Sequence, residues 1–156
     1  MASTGESLAE KFEATNNELL GVVEGLSDHQ WRMPCADEGW PVGVTAHHLA
    51  ESLGRVTGLV QALASGAQLP AITMDALNEG NAEHAVRAAS VTRAETAKLL
   101  SDNIAAGAAM LRGLNDSQFA STAALPFGEM SAAQIVEGIM IGHAGMHLQG
   151  IRAATA

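Results

Sequence analysis

Tyrosine is absent from this chain, aromatic residues make up only 3% of it, and Cys35 is the single cysteine. One thiol cannot close an intramolecular disulfide, so the fold must stand on its core alone. Few aromatics beside abundant Ala, Leu, Gly and Met favour helices with closely approaching backbones over sheets. Basic residues are also short, with 8 Lys and Arg against 17 Asp and Glu and a net charge of -9. Affinity for nucleic acid comes largely from cations that displace counterions, so a DNA or RNA partner is not expected. No apolar run is long enough to span a bilayer, because charges or turn signals break each one. The start, MASTGESLAEKFE, has no basic segment followed by an apolar one, so the expected compartment is the cytoplasm, without membrane partners.

What remains is a chain of 156 residues, 47% apolar and 16% charged. That length and composition suit one globular domain over 1–156 with a packed interior. Leu8, Phe12, Leu19, Val23 and Leu26 fall at helical spacing and predict a first long helix over about 5–26. Ser27 with Gln30 reads as a capping box opening a short turn. Residues 34–39 form a connector. Pro41 then suits the first turn of a second long helix, over about 41–65, that carries Leu49, Leu53, Val56 and Val60. Residues 73–89 are helix-compatible but weakly amphipathic. Thr92 with Glu95 caps a third long helix over about 92–114, through Leu100, Ile104, Gly107 and Leu111. Residues 115–130, with Pro126 and Gly128, read as a loop with a short extended piece folded over one end. Ser131 with Gln134 caps the last helix, which runs to about 152. Four long helices with lengthy crossovers predict an all-α four-helix bundle.

Histidine placement can be tested against these stripes at about 100° per residue. On the second long helix His48 lies about 100° from the apolar stripe and His47 about 160° from it, so His48 reaches the interior edge and His47 does not. On the last helix, with Ile135, Ile139 and Met146 as the stripe, His143 lies about 40° and His147 about 80° from its centre, both facing inward. Residues four apart stack one above the other, so His143 and His147 can aim two imidazole nitrogens at one point, with His48 as the third. On geometry alone this is either a metal clamp or a hydrogen-bonded structural pair. His84, near Asn78 and Asn81, reads as part of a solvated helix face, His29 as exposed, Cys35 as a small packed residue and Trp40 as a plug at the bundle end. No Glu-x-x-His tetrapeptide is present, which excludes the usual di-iron bundle chemistry. Gly54 and Gly58, mid-helix on the outer face with His47 and Glu51, would suit close packing of a second subunit, hence an expected homodimer.

The run WPVGVTAHHLA from Trp40 resembles the Trp-x-Val…His-Leu signature of the DinB-like superfamily, whose ligand histidine comes eight residues after the tryptophan. That register selects His48. The run HAGMHLQGI from His143 resembles the same superfamily's His-x-x-x-His on the last helix. The resemblance covers essentially the whole chain and implies an up-down-down-up bundle with His48, His143 and His147 as ligands of one divalent metal ion. The approach from Pro34 and Cys35 to Trp40 is most similar to the branch that includes the mycothiol-dependent maleylpyruvate isomerases, here without their additional C-terminal domain. That likeness implies thiol transfer or thiol-assisted isomerisation, with a small thiol and an electrophilic small molecule as partners. Zn is the default ion, and Ni and Fe also suit imidazole. The alternative is a binding protein, involved in sequestration or stress response, that anchors a small ligand on its metal without turnover. No carboxylate is tied to the three histidines by spacing, so no general acid is predicted.

Overall fold

A computed structural model describes residues 1–36 and 38–156. Helix α1 spans Thr4–Gly25 and is followed by the short α2, Asp28–Arg32. The long α3 covers Val42–Ala64, α4 covers Met74–Arg87 and α5 covers Arg93–Gly113. After the one-turn α6, Asp116–Phe119, strands β1 (Thr122–Leu125) and β2 (Gly128–Ser131) pair antiparallel as a hairpin, with Leu125 opposite Gly128. The chain ends in α7 (Ala132–Ile135), a π-helical segment (Val136–His143) and α8 (Ala144–Thr155). Ile135, Val136, His143 and Ala144 keep right-handed helical angles, so these three pieces form one continuous rod. The four long helices are therefore α1, α3, α5 and this terminal rod, as expected for an all-α bundle, and no described helix is long and apolar enough to cross a membrane.

The helix starts follow from side-chain chemistry. Ser27 with Gln30, Thr92 with Glu95 and Ser131 with Gln134 all form reciprocal capping boxes, and Asn115 with Gln118 adds one that the sequence reading passed over. Each satisfies backbone donors that a helix start leaves unpaired. The first and second long helices are not neighbours: α1 and α3 each pack on α5 and on the terminal rod, and lie diagonally across from one another. Phe12, Leu19, Leu100, Leu111, Ile135 and Met140 fill the space between, each shielded from solvent. Close approach is enforced at Gly107, where an added Cβ would stand 2.7 Å from the Phe12 ring.

Two expectations change here. The apolar stripe of the last helix does not run through Met146, which is 56% exposed; the buried side continues through Met140, Ala144, His147 and Ile151. The cause is the π-helical segment: each π turn holds an extra residue, which rotates everything downstream by about 100° relative to an α-helix. The outer face of α3 is covered within the chain at Gly54 and open at Gly58. Asn103 of α5 donates its side-chain amide to the Ala50 carbonyl at 2.8 Å, and a Cβ on Gly54 would meet that amide at 3.0 Å. The missing side chain at Gly54 is thus accounted for by α5, leaving Gly58 as the open glycine of the pair.

Candidate metal centre

His48 projects from the second turn of α3 and is 5% exposed; His143 ends the π-helical segment and His147 lies one turn on in α8, 3% exposed. The structure brings together all three predicted ligands. The Nε2 atoms of His143 and His147 stand 3.0 Å apart, and one ring nitrogen from each of the three residues falls within 4.8 Å of the others. The rings meet edge to face, with centroid separations of 5.8, 5.9 and 4.5 Å. Nitrogens bound to Zn at about 2.0–2.1 Å lie roughly 3.0–3.4 Å from one another, so the His143 to His147 pair already has ligand spacing.

Protonation favours the same use. Burial, reinforced by repulsion from His143, His84 and His147, holds His48 down to about 3. Burial also lowers His143, with His147 adding to the shift. A neutral imidazole keeps the lone pair that a cation needs. Nδ1 of His48 is buried and has no hydrogen-bond partner among the described residues, so no hydrogen bond through that atom fixes this ring. The donor set fits a divalent transition ion: three nitrogen ligands, with the remaining positions facing the cleft.

Surrounding elements orient these rings. Asn16 of α1, completely buried, donates its amide to the carbonyls of Phe12 and Met140, both at 3.0 Å, and so ties α1 to the π-helical segment just ahead of His143. The connector before α3 is closed by its own backbone: Cys35 N–H donates to the Trp40 carbonyl at 2.7 Å and Val42 N–H to the Met33 carbonyl at 2.8 Å. It lays the Trp40 ring edge-on to His48 at 5.5 Å. The same connector carries Glu38, whose Oε1 lies 3.5 Å from Nε2 of His147. No sequence spacing links Glu38 to the last helix, and only the loop closure places it there. Cys35 is buried and His29 exposed, as the sequence suggested.

A cleft of about 750 Å³ opens on the cluster. His48 and His143 form part of its floor, α4 and the β-hairpin supply apolar walls, and Arg55 is the one cationic side chain among the described residues of its lining.

His84 corrects the reading of the weak helix. Instead of facing solvent it is completely buried, and its Nε2 lies 2.8 Å from Nδ1 of His47. His47 does point away from the core, but α4 covers that side of α3 and leaves its side chain only 15% exposed. Burial lowers both histidines, although Glu51 partly opposes the shift. Burial pushes the Glu51 carboxyl up, yet Arg87 outweighs it and holds Glu51 below the usual carboxylate range.

The bundle and its convergent imidazoles define a mostly helical protein with a donor set for a divalent metal ion. Residues 11–151 match the DinB superfamily, and the chain belongs to that family. Among solved structures it is similar to YfiT from Bacillus subtilis, described as a probable metal-dependent hydrolase with an unusual four-helix bundle topology. The TM-score is 0.76 at 20% identity, over 96% of this chain and 85% of that one. It is also similar to a histidine-to-alanine mutant of the mycothiol-dependent maleylpyruvate isomerase, with TM-score 0.75 at 10% identity, over 100% of this chain and 64% of that one. At such identities both likenesses establish the fold. A comparison with curated protein sequences finds no match.

Proposed function

We propose that this protein is a divalent-metal-dependent enzyme that activates a small thiol for transfer to, or isomerisation of, an electrophilic small molecule. The observation that carries the reading is the convergence of three imidazoles, from His48, His143 and His147, on one point beside the cleft. When bound there, a divalent ion supplies uncompensated positive charge that acidifies a thiol or water at its open position.

The chain's own residues supply the rest. Glu38, beside His147, is placed to accept the proton of the S–H bond. The sulfur lone pair then forms a bond to the electrophilic carbon. In a transfer, the leaving group departs with that proton. In an isomerisation, the new S–C bond opens a C=C π bond and the substrate turns about the single bond left. The S–C bond then breaks as the double bond re-forms, and the sulfur takes its proton back from Glu38. Arg55 offers a guanidinium to an acidic group on either reactant. Trp40 packs on His48 and helps to fix that ring's orientation.

The two similar structures carry names for different nucleophiles, water in a hydrolase and a thiol in the isomerase. The mainly apolar cleft supports the thiol, since such walls hold a thiol's carbon skeleton and are poorly wetted. A buried Cys35 thiol and a small-thiol cosubstrate both suit the reducing cytoplasm. The test is metal analysis of protein purified without an affinity tag, followed by assays of thiol consumption against a panel of electrophiles. Metal-dependent consumption lost in His147→Ala supports the proposal. Tight ligand binding without turnover points instead to a metal-anchored binding protein, and ester hydrolysis without thiol to a hydrolase.

A further inference from the structure

Helix α4 is held in an unusual way. A surface helix normally docks through an apolar stripe, yet the one buried residue among the 14 of α4 is His84. Its larger apolar side chains stay accessible to solvent, Leu77 within the cleft: Met74 is 49%, Leu77 38% and Val86 79% exposed. What joins α4 to α3 at this end is polar, through His84 on His47 and Arg87 on Glu51.

Three atoms of this junction form a triangle. Nδ1 of His47 is 2.8 Å from Nε2 of His84, and Oε2 of Glu51 is 3.9 Å from each. The two rings stand head-on, nearly coplanar with centroids 5.1 Å apart. A point equidistant from the three atoms lies about 2.1 Å from each, the length of a Zn bond, so a swing of both rings toward Glu51 would aim their nitrogens at one ion. Hydrogen bonding accounts for the two imidazoles, 2.8 Å apart, but not for the carboxylate, because 3.9 Å is too long for Glu51 to accept from either ring. The carboxylate is also held as metal ligands usually are: Arg87 takes the other oxygen, Oε1, through Nη2 at 3.1 Å and approaches Oε2 only to 3.5 Å. A partner on the far oxygen orients the near one toward a cation.

We propose that His47, Glu51 and His84 form a second binding site for a divalent transition ion, separate from the three-histidine centre, that clamps α4 onto α3. Two imidazoles and one carboxylate are a ligand set that Zn accepts, with a fourth position left for water. The site adjoins the first, since the His84 and His48 rings meet edge to face at 5.5 Å. Its consequence is mechanical. Ala76, Leu77, Gly80 and Asn81 of α4 form one wall of the cleft, so an ion at this junction fixes that wall in place.

The test uses full-length, tag-free protein dialysed against zinc, with bound zinc counted by elemental analysis. Wild type is expected to hold two ions per chain. The double variant His143→Ala/His147→Ala should hold one, and adding His84→Ala to it none. Because His84→Ala could loosen α4 by removing packing alone, Glu51→Gln in the double variant provides an independent reading: it keeps the size of the side chain and should also hold none. In the double variant, zinc should slow amide exchange in α4, and in the version with Glu51→Gln it should not. Zinc content of one in wild type and none in the double variant overturns the second site while leaving the first intact. One ion in wild type that survives the double substitution but not Glu51→Gln supports the second site and removes the first.

Discussion

The side-chain amide of Asn16 donates to the main-chain carbonyl of Met140 at 3.0 Å, joining residues 124 positions apart. Met140 lies in the π-helical segment, so this bond helps set where His143 emerges. Asn16→Ala removes this bond and the one to Phe12 from a fully buried position. The expected loss is about 1–3 kcal/mol, seen as a lower melting temperature, together with weaker zinc binding at the three-histidine centre. Unchanged zinc affinity in a destabilised variant would show that the tie serves stability alone.

His48→Ala and His147→Ala are each expected to abolish retention of the ion at the three-histidine centre while leaving helical circular dichroism intact. Both remove a nitrogen donor from a buried site without disturbing a helix cap. Removing a ligand should lower affinity at least as much as the 10–100-fold typical of losing a residue that merely supports one. Competition with a chromogenic chelator measures it.

Metal-free protein should lose stability in mild acid. His48 is neutral in the folded chain down to about 3, whereas in the unfolded chain it protonates around its ordinary value of 6.5. Between those values the unfolded state binds the extra proton, so stability falls as pH drops below 6.5, by about 1.4 kcal/mol per unit for one such group. His47, His84 and His143 are displaced in the same direction and steepen the fall. Denaturant melts at pH 7.5, 6 and 5 provide the check, and equal midpoints would refute the buried neutral histidines.

Gly107→Ala forces a methyl group against the ring of Phe12, which is itself fully buried between helices. Overpacking of this kind costs about 1–3 kcal/mol. A domain of this length should then melt roughly 2–12 °C lower, at about 2–4 °C per kcal/mol. Phe12→Leu combined with Gly107→Ala should recover part of the loss, and a failure to recover any would place the strain elsewhere.

Glu38, beside His147, and Arg55, in the cleft lining, carry separate roles. Glu38→Gln keeps the shape but removes the base, so kcat should fall about 10²–10⁴-fold with zinc content unchanged. Arg55→Ala should raise KM for acidic substrates and leave kcat near that of wild type. An equal effect of Arg55→Ala on neutral and acidic substrates would argue against the guanidinium as an anchor.

Much of the bundle was legible in the residue order because its signals are local. Apolar spacing gave the first three long helices to within a residue and ended the last one three residues short, and Ser27, Thr92 and Ser131 marked three starts through partners only three positions away. The pairing of His143 with His147 was readable for the same reason, as one helical turn places them together. The wheel drawn through Met146 misjudged the face of the last helix, since apolar periodicity does not announce a π turn. It still turned both histidines inward.

The sequence by itself determined which segments are helical, where they are capped and that two histidines share one face of the last helix. These depend on contacts across three or four residues. Only the tertiary structure decided that α3 brings His48 to them, that a closed loop sets Glu38 beside His147, and that α4 buries His84 against His47 and Glu51. Those meetings join residues far apart along the chain. They depend on how whole helices pack, and α4 carries no apolar stripe that would reveal its docking face in advance.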